Sequence, residues 1–159
     1  MMILVTGGMG YIGSHTVVEL LNSNYEVVVV DNLSNSSILV KDRIKKITNK
    51  DFKFYNVDVT DKESLKKVFE ENKIDSIIHF AAFKAVGESV EKPLEYYENN
   101  LVGALVVFEL MKEFNVNNFV FSSSATVYGK PKSCPIKEDF SLSTTNPYGA
   151  TKLMIEDIM

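Results

Sequence analysis

A short apolar strand, Ile3-Leu4-Val5, runs straight into Thr6-Gly7-Gly8-Met9-Gly10-Tyr11-Ile12-Gly13, and an apolar-periodic stretch carrying Ile12, Val17, Leu20 and Leu21 follows. Few backbone paths accept that order. Glycines at 7, 10 and 13 let the chain turn tightly between strand and helix. The first amides of the helix have no partner inside it, and they point into the bend. A bend of this kind suits a pyrophosphate, and it belongs to a strand–turn–helix unit of a parallel sheet. The spacing is Gly-x-x-Gly-x-x-Gly rather than the commoner Gly-x-Gly-x-x-Gly. A glycine triplet is weak evidence alone; its position between strand and helix gives it weight.

The next apolar run, Tyr25-Glu26-Val27-Val28-Val29-Val30, ends in Asp31, which lies 18 residues beyond Gly13. That is close to where a carboxylate binds the adenosine ribose hydroxyls of a dinucleotide. Its charge would repel a 2′-phosphate, so NAD is expected over NADP. The competing reading is an Asp that merely caps the turn.

Strand and helix patterns alternate along the rest of the chain. Strands are expected at Met2–Val5, Glu26–Val30, Phe52–Asn56, Ser76–Phe80 and Asn118–Ser122, and helices at Tyr11–Asn22, Leu39–Thr48, Asp61–Glu71, Pro93–Phe114 and from Pro147 onward. Thr60 with Glu63 reads as a capping box ahead of Leu65, Val68 and Phe69. The alternation predicts an α/β fold, a doubly wound parallel sheet with helices on both faces. Lys130 to Thr145 has no assignable pattern, and long loops in compact domains are usually functional.

With 159 residues, 45% of them hydrophobic and 24% charged, the chain fits one ordinary globular domain. A net charge of −4 with no basic stripe argues against nucleic acid as the main partner. The single cysteine, Cys134, excludes an intrachain disulfide framework and fits a reducing compartment. No apolar run approaches the roughly 18 residues of a membrane span, and no basic leader opens the chain, so a cytoplasmic location without a membrane partner is expected. His15 and His79 lack Cys or His partners at metal spacing; both read as packing or capping residues, and no metal is expected. The last residues, Thr151 to Met159, read as mid-helix with no capping glycine. Residues 1–159 are therefore expected to be the NAD-binding domain of a longer protein, incomplete at its C-terminal end and lacking a substrate domain.

Tyr148 and Lys152 stand four residues apart in Asn146-Pro147-Tyr148-Gly149-Ala150-Thr151-Lys152. Asn146 suits a helix cap and Pro147 the first helical position, so the two side chains share one helix face. A free phenol is a poor base near neutrality, with a pKa of roughly 10. An ammonium about 4 Å away, at an effective dielectric of 20, offers a phenolate about 4 kcal/mol. The pair reads as an activated tyrosine base; the plain alternative is two solvated residues on a surface helix.

Taken together, these motifs resemble those of the UDP-glucose 4-epimerase family, among the extended short-chain dehydrogenases/reductases. The resemblance rests on Thr6 to Thr16, Asp31 to Ser36, His79 to Val90, Lys92 to Asn100, Phe121 to Gly129 and Pro147 to Lys152. The glycine turn and Tyr-x-x-x-Lys are shared widely. Phe83 to Val90 and Ser122-Ser123-Ser124-Ala125-Thr126-Val127-Tyr128-Gly129 are more specific to the epimerases. The resemblance implies a Rossmann-type NAD-binding domain in which Gly7, Gly10, Tyr11, Ile12 and Gly13 surround the pyrophosphate and Asp31, Asn32, Asn35 and Ser36 hold the adenosine ribose. It further implies Asp58 and Val59 beside adenine, and Phe80, Ala81, Ala82 and Lys84 along the cofactor channel, which Asn99 also contacts. From the residues alone, the competing readings are that Asp58 merely caps a turn and that Lys84 is a solvated loop lysine; Tyr96 and Tyr97 read as half-buried core or interface residues.

The implied catalytic residues are Ser124, Tyr148 and Lys152, with UDP-glucose and UDP-galactose as substrates and a homodimer as the assembly. Tyr148 would take the proton of the sugar 4-hydroxyl during a transient oxidation, Ser124 would bond the 4-oxygen, and Lys152 would orient the nicotinamide ribose. A 4,6-dehydratase on the same scaffold would need Asp-Glu where this chain has Ala125 and Thr126. A non-catalytic nucleotide module would have no need of Ser124, Tyr148 and Lys152 together. The chain as it stands is expected to keep a nucleotide site but to turn over little or no sugar.

Overall fold

The computed structural model describes residues 1–159, which form two compact units. The first comprises Met1–Ala81 and Gly103–Ser122, the second Ala82–Val102 and Ser123–Met159.

The first unit is built on five strands: β1 (Met2–Thr6), β2 (Glu26–Val30), β3 (Lys53–Tyr55), β4 (Ser76–His79) and β5 (Asn118–Phe121). They lie in the order β3-β2-β1-β4-β5, and every pairing is parallel. The expected fold is thus the observed one. Parallel strands are covered on both faces, which explains the unbroken apolar run Val27–Val30, buried throughout. Alternate residues serve opposite layers. Ile3, Val5, Val27 and Val29 pack with Val17, Leu21 and Ile44 from α1 (Tyr11–Asn22) and α2 (Leu39–Thr48). Leu4, Val28, Val30 and Ile77 pack with Leu65, Val68 and Phe69 from α3 (Lys62–Glu71) and Val107 and Leu110 from the helix Gly103–Glu113.

Three expectations on helices need correction. Ile12, counted with the apolar face of α1, is 56% exposed in that helix's first turn. The Thr60–Glu63 capping box is absent: Asp61 caps α3, its carboxylate accepting from the Ser64 amide at 3.1 Å, while the Thr60 hydroxyl donates to Asp58 at 2.7 Å. The long helix Pro93–Phe114 is interrupted by a π turn at Glu98–Val102.

The second unit contains α4 (Val86–Glu91), α5 (Pro93–Tyr97), the π turn, a 3₁₀ turn at Ala125–Tyr128 and α7 (Pro147–Ile158), leaving Gly103–Glu113 as α6. The α4 helix and the 3₁₀ turn fall where no element was expected. The π turn has a cause in Asn100, which is 1% exposed. Its side chain accepts from the Phe83 amide at 2.8 Å and donates to the Phe83 carbonyl at 3.0 Å and to the Thr151 hydroxyl at 3.1 Å. A buried amide needs such partners, and an extra residue in the turn accommodates a side chain turned inward. Lys130 to Thr145 carries no regular element; the Ser143 amide ties it back to the Val127 carbonyl at 2.9 Å.

Candidate functional site

In the first unit, the glycine turn is shaped by close approach. Gly7 has φ +69°, and a Cβ there would lie 2.7 Å from the Ala81 amide nitrogen. A Cβ on Gly13 would lie 2.3 Å from the Gly7 carbonyl oxygen. Side chains are therefore excluded from the bend itself. Gly10 caps α1 without a side chain, so no hydroxyl or carboxylate competes for the amides of the first turn. Tyr11 is 76% exposed at the same place.

Asp31 at the end of β2 is 8% exposed. One carboxylate oxygen accepts from the Met9 amide at 2.9 Å; the other accepts from the Leu33 amide at 2.9 Å and the Ser36 hydroxyl at 2.8 Å. The capping role weighed for it is real, and it also fixes the glycine turn to the end of β2. A carboxylate offers about four acceptor positions, so three bonds leave room for a ribose hydroxyl. Ser36 spends its proton on Asp31. Asn32 donates to Asp58 at 2.8 Å, joining the ends of β2 and β3. Burial pushes the Asp58 carboxyl up, but the Thr60 amide, Thr60 hydroxyl and Asn32 bonds together hold it below the usual range. Asn35 is exposed, Phe80 and Ala81 are half-buried after β4, and Val59 is buried in the core.

In the second unit, α7 begins as expected. Asn146 accepts from the Gly149 amide at 2.8 Å and Pro147 opens the helix. Tyr148 is half-buried and Lys152 is 3% exposed, one turn apart, with the ammonium nitrogen 5.9 Å from the tyrosine ring centroid. Burial pushes the Lys152 amine down to about 8. Between them Thr151 donates to the Tyr148 carbonyl at 2.7 Å and takes the bond from Asn100. Ser124 accepts from the Thr126 amide at 3.2 Å and the Thr126 hydroxyl at 2.9 Å, so its own proton is available outward. The neighbouring Ser123 donates instead to Glu156 on α7, which separates the roles of adjacent serines. Ala82 is half-buried, Lys84 is exposed, and Asn99 donates to Asn100 at 2.9 Å.

His79 is a packing residue, as read, whereas His15 is exposed within α1 and neither packs in the core nor caps the helix. His15 faces the Tyr11 carbonyl at 2.7 Å, and His79 lies in the core against Thr6, Phe119 and Phe121. Sequence reasoning missed Asn100, Tyr96 as a buried hydroxyl, and the Ser123–Glu156 bond. An Asn amid the apolar pattern of a long helix was the available signal for the first.

A parallel sheet with a bare glycine turn, a carboxylate at the end of β2 and a Ser–Tyr–Lys set define a short-chain dehydrogenase/reductase with a Rossmann-type dinucleotide-binding fold. Residues 4–159 match the family model described as GDP-mannose 4,6 dehydratase, and the chain belongs to that family. It is 61% identical over 159 residues to UDP-glucose 4-epimerase of Bacillus subtilis and 62% identical over 160 residues to that of Haemophilus influenzae. Both matches take in 100% of this chain and 47% of the relative. A crystal structure of UDP-glucose 4-epimerase from Bifidobacterium longum, in complex with NAD+ and UDP, superposes with a TM-score of 0.98 at 53% identity, covering 99% of this chain and 48% of that one. The chain thus spans about half the length of the relatives it matches. No helix is long and apolar enough to cross a membrane.

Proposed function

We propose that this chain is the NAD-binding and proton-transfer part of an enzyme that interconverts UDP-glucose and UDP-galactose in galactose metabolism, and that the rest of the sugar site lies outside residues 1–159. The observation that carries this is the buried Lys152 one turn from Tyr148, with Ser124 free to donate. The glycine turn fits a dinucleotide because Gly7 and Gly13 let the backbone close more tightly than a Cβ would allow, and the first-turn amides of α1 are left without a capping side chain. When bound, NAD supplies a hydride acceptor at the sugar C4 and gives the hydride back. Tyr148 takes the proton of the 4-hydroxyl as the carbonyl forms and returns it afterwards. Ser124 donates to the 4-oxygen as charge moves on and off it. Lys152, an ammonium below about pH 8, bonds the nicotinamide ribose. Asp31 receives the adenosine ribose and disfavours a 2′-phosphate.

The matching family model is named for a dehydratase, but dehydration needs an acid and a base that move a proton across C5 and C6. Ala125 and Thr126, at the start of the 3₁₀ turn, can do neither at neutral pH. The test is to incubate the full-length protein with UDP-galactose and follow UDP-glucose by chromatography. Conversion is expected, falling by about 10²–10⁴ in Tyr148→Phe, as for loss of a general acid–base. A 4-keto-6-deoxy product, or no product, overturns the reading. Residues 1–159 alone should turn over far less, because an open site keeps the water that weakens each charge interaction.

A further inference from the structure

Both neighbours of Lys84 are held by their backbones, while its own side chain is exposed. On one side Asn100 takes the amide and the carbonyl of Phe83. On the other, the Ala85 amide donates to the Tyr96 hydroxyl at 3.1 Å. Tyr96 is 1% exposed, and its ring lies 5.5 Å from that of Phe83. Its hydroxyl passes its own proton to Glu88 at 2.8 Å, and the other Glu88 oxygen lies 3.6 Å from Lys92. Burial, then the Glu88 carboxylate, push the Tyr96 phenol up to about 12, so it stays a donor to Glu88 and an acceptor for Ala85 across the working pH range. Nothing in the proton transfer described above uses this buried hydroxyl.

We propose that Tyr96, braced by Glu88, is a positioning residue that presents Lys84 to the bound dinucleotide. The proposal rests on Lys84 contacting the cofactor. A lysine brings a long, entropically costly side chain to any contact, and a loop that must also be ordered on binding adds to that cost. Fixing the backbone on both sides of residue 84 beforehand removes the second part. The bond from the Ala85 amide is part-buried, and Tyr96→Phe keeps the ring against Phe83, so the packing of the unit is retained. What is lost is the fixed direction of the lysine.

The test is calorimetric titration of the full chain with NAD, using Lys84→Ala, Tyr96→Phe and the double variant. About a tenfold loss is expected from each single change, and no further loss in the double beyond Lys84→Ala, because an ordered loop without its lysine confers nothing. Wild-type affinity in Tyr96→Phe overturns the proposal. Additive losses also overturn it, since they assign Tyr96 a structural effect independent of Lys84. Glu88→Ala leaves the buried ring in place and should show the same non-additivity with Lys84→Ala; unchanged affinity there counts against the brace. If Lys84→Ala binds normally, the cofactor role of Lys84 falls and the proposal with it. No sugar is present in these titrations, so they stand apart from the epimerase assay.

Discussion

Lys152 offers the sharpest test of how the site was built, because its burial has a computable cost. The residue is 3% exposed, and burial lowers its amine from 10.5 to about 8. One pH unit corresponds to about 1.4 kcal/mol, so the buried ammonium costs the fold about 3 kcal/mol near neutrality. The sign follows from proton counting. Between about pH 8 and 10.5 the unfolded chain holds the proton and the folded chain does not, so stability rises with pH through that window. Below it the full cost is present; above it the cost is gone. Replacing Lys152 by Met, an apolar side chain of similar length, should raise stability by about 3 kcal/mol at pH 7. The gain should shrink steadily above pH 8 and vanish near 10.5. Urea unfolding of the cofactor-free chain and of Lys152→Met, at half-unit steps from pH 6.5 to 10.5, measures the difference directly. A variant that is less stable at pH 7, or a gain that does not change with pH, would refute the argument. Destabilisation would mean that Lys152 holds the fold together rather than being tolerated for its chemistry.

Three further outcomes are expected. Asp31→Ala should narrow the preference for NAD over NADP in calorimetry, and equal binding of both by the unaltered protein would contradict the ribose assignment. Gly13→Ala should abolish NAD binding and cost roughly 2 kcal/mol or more, because its Cβ would lie 2.3 Å from a carbonyl oxygen; Gly87→Ala in α4, where a Cβ meets nothing within 4 Å, should instead gain about 0.5–1 kcal/mol. Leu94 on α5 is 79% exposed and Met154 on α7 43%; if these helices pair with their copies in a homodimer, light scattering on the full-length protein will give twice the chain mass, and a monomeric mass rejects the pairing.

What could be read from the chain was what depends on neighbours in sequence. The Asn146 cap, Pro147 and the four-residue step from Tyr148 to Lys152 are local, and α7 forms as expected. The Val27–Val30 run could only be a covered parallel strand. Thr60 and Glu63 misled because Asp61 offered a competing cap one residue on, and the Thr60 hydroxyl had a better partner in Asp58. Asn100 was illegible for a different reason: its partners Phe83 and Thr151 lie 17 and 51 residues away. The Ser123–Glu156 bond spans 33 residues. Interactions of that range follow from the folded arrangement and leave almost no periodic trace.

The π turn fixes how many residues the segment from Lys92 to Val102 must contain. A regular α-helix advances about 100° per residue, so a turn holding one extra residue shifts everything downstream by that angle. Deleting Leu101 would permit an unbroken helix with better backbone bonds. It would also carry Asn100 away from Phe83 and Thr151, the partners that its buried amide needs. Length in this stretch is therefore as restrictive as residue type. A shortened segment should fold with a straighter helix and a disconnected Tyr148–Lys152 turn, whereas conservative replacements at Leu101 should pass unnoticed.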